Sequence, residues 1–126
     1  MARHNDVGKW GEQLAYEYLV ARGYAIVERN WRMNHLETDI IAMKGSRIIF
    51  VEVKTRTNPE DDPLKAVDRK RMMNMIRSAK AYINAYNIRH EYQFDVIAVT
   101  GNPLGDEPPV IEHVPDAFLP PLHTIR

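Results

Sequence analysis

The chain has 126 residues, 44% of them hydrophobic and 27% charged, a balance that fits one globular domain with a real core. It carries no cysteine, so disulfides, thiolate nucleophiles and cysteine-ligated zinc are excluded, and a reducing cytoplasm suits it. Its 17 basic and 17 acidic residues cancel, which argues against a general polyanion binder held by many phosphate contacts.

The amino end lacks the apolar block of a signal peptide, and no run approaches the ~20 apolar residues of a membrane span. A soluble, cytoplasmic protein with no membrane partner is expected. Over residues 6–22, Val7, Trp10, Gly11, Leu14, Ala15 and Tyr18 recur at helical spacing, with Asp6 as N-cap and Gly23 as the stop. Residues 24–31 read as a strand. Asn34 and His35 then turn the chain into a second strand carrying Glu37 and Asp39, and Lys44-Gly45-Ser46 joins it as a hairpin to a third strand at 47–55.

Residues 57–63 are a polar, proline-marked loop, in which Asp62 and Pro63 read as N-cap and first position of a helix reaching Tyr86. Its apolar stripe includes Met72, Met75, Ile76, Ala79, Tyr82 and Ile83. From Arg69 to Lys80 the segment also holds Lys70, Arg71 and Arg77 with no acid between them, so the neutral total hides one basic face. Residues 92–100 form a fourth strand, 101–109 a loop with three prolines and two glycines, and 110–114 a short edge strand. Residues 116–126 read as a loosely structured tail. The order α-β-β-β-α-β-β implies an α/β fold: one domain over 1–126, with a mixed sheet flanked by helices.

Charges stand inside two of the apolar strands: Asp39 in Glu37-Thr38-Asp39-Ile40-Ile41, and Glu52 and Lys54 in Phe50-Val51-Glu52-Val53-Lys54. Unpaired charges are costly in strands covered on both faces. A hard cation and an activated water account for them, the chemistry of metal-dependent phosphodiester cleavage. Side chains alternate along a strand, so Glu37 shares a face with Asp39, and Glu52 with Lys54. Hairpin pairing brings Asp39 towards Glu52. Two carboxylates and a backbone carbonyl such as that of Val53 suit Mg2+, and Lys54 would orient the attacking hydroxide or stabilise the phosphorane. The plain alternative is a same-strand Glu52–Lys54 ion pair, worth only ~0–1 kcal/mol if exposed.

Glu12 lies at the margin of the first helix's apolar stripe; its spacing fits a carboxylate reaching the site and an ordinary surface glutamate equally. Arg69, Lys70, Arg77 and Lys80 project away from the stripe of the second helix, a solvated face or a phosphate-binding one. Arg71, nearer the stripe's edge, can contact phosphate or pair with an internal acid. Lys54-Thr55-Arg56 is a further place to meet nucleic acid. His35, Glu37 and Asp39 alternate onto one face, but same-face neighbours ~6.6–7 Å apart are too spread to ligate one ion, and His35 reads as a turn residue. Trp10, Trp31 and the tyrosines read as core or strand-face aromatics.

Gly8-Lys9-Trp10-Gly11-Glu12, Glu37-Thr38-Asp39-Ile40-Ile41, Phe50-Val51-Glu52-Val53-Lys54-Thr55-Arg56 and Phe94-Asp95-Val96-Ile97-Ala98-Val99 together resemble the YraN-like family of bacterial proteins. That family is related to Holliday-junction resolvases within the PD-(D/E)xK nuclease superfamily. The likeness extends to about Phe118. It implies a restriction endonuclease-like fold, a metal-dependent DNA endonuclease selective for branched DNA, and Mg2+ as cofactor, with Mn2+ able to replace it. It implies that Asp39, Glu52 and Lys54 are the nuclease signature, that Glu12 is the helical carboxylate completing the metal set, and that Glu37 is an auxiliary acid. Lys70 matches a lysine common in the second helix; with Arg56, Arg71 and Arg77 it forms the candidate nucleic-acid-binding set. Thr38 stands where the superfamily has proline, and Leu36 where YraN-like proteins usually carry glycine, a side chain able to alter the turn into the metal strand. The implied partners are DNA and a second copy of the chain, since resolvase-like enzymes cut symmetric junctions as dimers, with the apolar 117–122 as one candidate surface. A non-catalytic nucleic-acid-binding or assembly module on the same scaffold is the rival, favoured by the neutral charge.

Overall fold

The structure, a computed structural model, describes residues 4–57 and 67–117. Helix α1 (His4–Ala21) leads into strands β1 (Ala25–Met33), β2 (Leu36–Lys44) and β3 (Arg47–Arg56), followed by α2 (Arg69–Tyr86), β4 (Tyr92–Thr100) and β5 (Val110–Val114). The strands form one five-stranded sheet in the order β1-β2-β3-β4-β5, antiparallel except for the parallel β3–β4 pair. A parallel neighbour needs a crossover, and the connection containing α2 supplies it. The α/β fold and its element order are those expected.

Apolar residues on both sides of β2, β3 and β4 are what two covering layers require. Ile41, Phe50, Phe94 and Val96 pack with Met75, Ala79 and Tyr82 of α2. Ile40, Ala42, Val51, Ile97 and Val99 pack on the other side with Ala15 and Leu19 of α1. Phe50 is fully buried at the centre of the α2 layer, edge-on to Tyr82 and Tyr92, and truncating such a ring costs about 3–5 kcal/mol.

Three boundaries differ from the sequence expectation. Helix α1 begins before Asp6, which sits in its first turn rather than capping it. Its end is as expected: Gly23 takes φ +87°, and the N–H groups of Gly23 and Tyr24 satisfy the Val20 and Leu19 carbonyls. Helix α2 starts at Arg69, with Asp68 as its extended N-cap accepting from Arg71 N at 2.8 Å. Asp62 and Pro63 lie outside the described residues, as do residues 118–126. Within the expected loose tail, Asp116 and Ala117 are tied back to β4, their N–H groups donating to Asp95 Oδ1 at 3.0 Å and Phe94 O at 2.7 Å.

The turn into β2 is built by Asn34, at φ 57°, with His35 beside it. Leu36 is already extended and paired with Met33. Asn34 supplies the left-handed residue, so position 36 has no need of glycine.

Candidate active site

The β2–β3 ladder runs from Lys44↔Arg47 to Ile40↔Val51 and stops there, whereas β1–β2 continues to Met33↔Leu36 and β3–β4 to Arg56↔Thr100. The sheet therefore parts between two central strands. Asp39 and Glu52 are the next residues on either side of that parting. By alternation Asp39 shares a face with Ile41, and Glu52 and Lys54 share one with Phe50, so all three belong to the α2 side. Asp39 bridges the gap itself, its Oδ2 accepting from Val53 N at 2.8 Å.

The electrostatics of the two acids differ. Burial pushes the Asp39 carboxyl well above the ordinary range, and the charge of Glu52 pushes it further; the Val53 N–H and the charge of Arg71 oppose both. Glu52, 7% exposed, is forked by Arg71, with Nε to Oε2 at 2.6 Å and Nη2 to Oε1 at 2.7 Å. This bidentate geometry is the strong form of a charge-assisted pair, and it raises the guanidinium pKa further. Of the two roles open to Arg71 in the sequence, the structure presents pairing with an internal acid. The partner of Glu52 is Arg71, not Lys54, which is exposed.

Glu12 reaches this region because α1 can lie against the end of β3. A Cβ at Gly11 would overlap Thr55 Oγ1, so glycine is required for that approach. Glu12 lines a cavity of about 600 Å3 with Val53, Lys54, Thr55 and Arg56. Burial raises its carboxyl pKa against a lowering hydrogen bond from Asn30, and Glu37 and Glu52 add to the rise. A second cavity, of about 390 Å3, is lined by Glu52, Lys54, Asp68, Lys70, Arg71 and Asn74. Lys54 stands where both open.

Among the described residues, no group of three or more His, Asp or Glu is arranged to hold a metal ion, so Glu12 does not close on Asp39 and Glu52 here. The oxygen donors of Asp39 and Glu52, set side by side with one carboxyl desolvated beside a like charge, fit a hard cation.

The remaining candidates are scattered. Glu37 meets Arg32 at 3.4 Å across β1–β2, and its carbonyl accepts from Ser78 of α2 at 3.1 Å. The Arg56 guanidinium is engaged by Thr100 Oγ1 at 3.0 Å and Glu112 Oε1 at 2.7 Å within the sheet. Lys70 borders the second cavity, whereas Arg77 is exposed and donates to Asn74 at 3.4 Å. Sequence reasoning missed Asn30. It holds φ 52° in mid-strand, and the pairs Arg29↔Ile40 and Trp31↔Thr38 set it across from Asp39. Asparagine tolerates that conformation where most residues do not, which was its one signal. Also missed was the buried Asp95, which His113 Nε2 meets at 2.7 Å, with Tyr18 Oη 3.3 Å from His113 Nδ1.

Comparison with known proteins finds relatives over most of the chain. A "UPF0102 protein" of Bacteroides thetaiotaomicron is 42% identical over 97% of this chain and 99% of its own length. One from Christiangramia forsetii is 41% identical over 94% of this chain and 98% of its own, and one from Chlorobium chlorochromatii 41% over 90% and 91%. The family model described as "Uncharacterised protein family UPF0102" matches residues 11–99, which span Gly11, Glu12, Asp39, Glu52, Lys54 and Arg71. The chain belongs to the UPF0102 family.

Proposed function

We propose that the protein is a metal-dependent DNA endonuclease, selective for branched substrates, working at the parting between β2 and β3. The observation that carries this reading is the pair of register-neighbouring carboxylates, Asp39 and Glu52, of which Asp39 has no hydrogen-bonded cation among the described residues. Fold stability alone gives no reason to desolvate an acid beside another acid. Asp39 and Glu52 would hold Mg2+ or Mn2+, with Glu12 joining from α1. Such an ion lowers the pKa of a bound water and offsets charge at the phosphate.

The chain's own groups supply the rest. Lys54, exposed at the mouth of both cavities, is free to meet a phosphate oxygen or orient the nucleophile. Lys70, on the first turn of α2, adds positive charge to one wall, and the helix dipole points the same way. Asn30 stands near the Glu12 carboxyl and favours its charged form.

The test is cleavage of linear and four-way-junction DNA with Mg2+ or Mn2+, with a matched RNA as control. Lys54→Ala and Glu52→Ala are each expected to lower the rate by about 10²-fold or more. Activity surviving both substitutions would sink this site. Faster cleavage of the junction than of the linear duplex, by a species that runs as a dimer, is the further expectation.

A second reading is a nucleic-acid-binding or assembly module without catalysis, favoured by the Arg71 fork on Glu52 and the absence of a three-acid cluster among the described residues. Calorimetry separates the two. If Mg2+ gives no heat with DNA present, and Asp39→Ala leaves DNA affinity unchanged, the module reading stands.

A further inference from the structure

We infer that Arg71 is a built-in stand-in for the metal: its guanidinium neutralises Glu52 and must be exchanged for a divalent cation when one binds. The inference rests on the metal-site reading above and deepens it, by naming what the ion competes with.

Arg71 occupies both oxygens of Glu52, at 2.6 and 2.7 Å. A cation approaching Glu52 from Asp39's side meets a fixed positive charge already seated on its ligand. The fork serves Glu52 alone, and among the described residues no cation is hydrogen-bonded to Asp39. The Glu52 side chain is 10% exposed and that of Arg71 29%, so the base has more room to move than the acid.

The backbone of Arg71 stays put while its side chain moves, because its N–H is held by the Asp68 cap at 2.8 Å. Arg71 borders the same 390 Å3 cavity as Lys54 and Lys70. A guanidinium displaced from Glu52 therefore remains beside two other cations, where a polyanion's phosphate would take it. Metal loading and phosphate binding are thereby coupled, and the coupling is reciprocal.

The test is a calorimetric titration with Mn2+ alone, on the full chain without DNA, for the wild type, Arg71→Gln, Arg71→Lys and Glu52→Gln. Removing the competitor is expected to tighten Mn2+ binding by about tenfold in Arg71→Gln. Arg71→Lys keeps the charge and loses the fork, so its affinity falls between the two. Glu52→Gln loses the site. Equal or weaker binding by Arg71→Gln, with binding still dependent on Glu52, overturns the inference and leaves the metal site standing, with Arg71 merely positioning its ligand. No Mn2+ binding by the wild type or either Arg71 variant removes the metal reading as well. Thermal unfolding establishes that each variant is folded, and if Arg71→Gln is not, the shift in Arg71→Lys decides.

Discussion

Two acids in the middle of one sheet are treated in opposite ways. Asp95 on β4 is fully buried and fully served: His113 Nε2 at 2.7 Å, Gln93 Nε2 at 2.8 Å and the Asp116 N–H at 3.0 Å all meet its carboxylate. Asp39 on β2 has one backbone N–H and the charges of Glu52 and Arg71 acting on it in opposite senses. The first arrangement is how a fold keeps a buried acid, by surrounding it with hydrogen-bond partners. It ties edge strand β5 and the chain after it to β4. The second leaves a carboxyl whose ionisation is opposed by burial and by the charge of Glu52, offset only in part by the Val53 N–H and Arg71. A buried acid is therefore not by itself a sign of function; how its charge is compensated separates these two.

The largest expected effect breaks the served acid. Asp95→Ala strands the Gln93 amide, the Asp116 N–H and His113, so a loss of about 3–5 kcal/mol is expected. In thermal unfolding this reads as a fall of more than about 10 °C. A fall of only a degree or two would mean that Asp95 contributes no more to the fold than Asp39.

The under-served acid should respond with the opposite sign. Asp39→Asn keeps an oxygen for the Val53 N–H and removes the repulsion with Glu52, so a gain of about 1 kcal/mol is expected at neutral pH. Because burial and Glu52 raise the folded-state pKa of Asp39 above its unfolded value, the unfolded chain loses this proton first as pH rises. Over that window the folded state binds more protons, so stability falls with increasing pH. The variant's advantage should be full above the raised value and vanish below the ordinary aspartate range of about 4. Chemical denaturation at pH 3.5 and pH 8 checks this. An advantage independent of pH would show that ionisation of Asp39 is not its source.

The smallest effect concerns Thr38, next to Asp39. Its Oγ1 is buried and has no hydrogen-bond partner among the described residues. Thr38→Val is expected to leave stability unchanged or raise it by up to about 1 kcal/mol, measured by the same denaturation. Destabilisation would reveal that the hydroxyl has an energetically useful partner.

Much of the fold was legible in the residues themselves. Alternating apolar strands, the turn residues at Asn34 and Gly45 and the stop at Gly23 depend on local backbone physics, and the elements fell where those signals lie. The start of α2 was misread because Asp62-Pro63 and Asp68 both carry an acid able to cap. The choice shows only in the extended backbone of Asp68, with φ −79° and ψ 176°. That choice matters, since starting at Arg69 sets Arg71 on the first turn, over Glu52. Arg56 read as a cation open to nucleic acid, and it is held by Glu112, 56 positions away.

Within the candidate site, the sidedness of Asp39, Glu52 and Lys54 followed from strand alternation, which is set residue by residue along the chain. Which acid received side-chain partners did not. Arg71 comes from a helix docked on one face, and His113 from the edge strand beside β4; both are non-local contacts made by packing. The left-handed Asn30 likewise acquires its place opposite Asp39 only through strand register. The sequence determined which groups could meet, and the tertiary structure decided which were satisfied and which were left wanting.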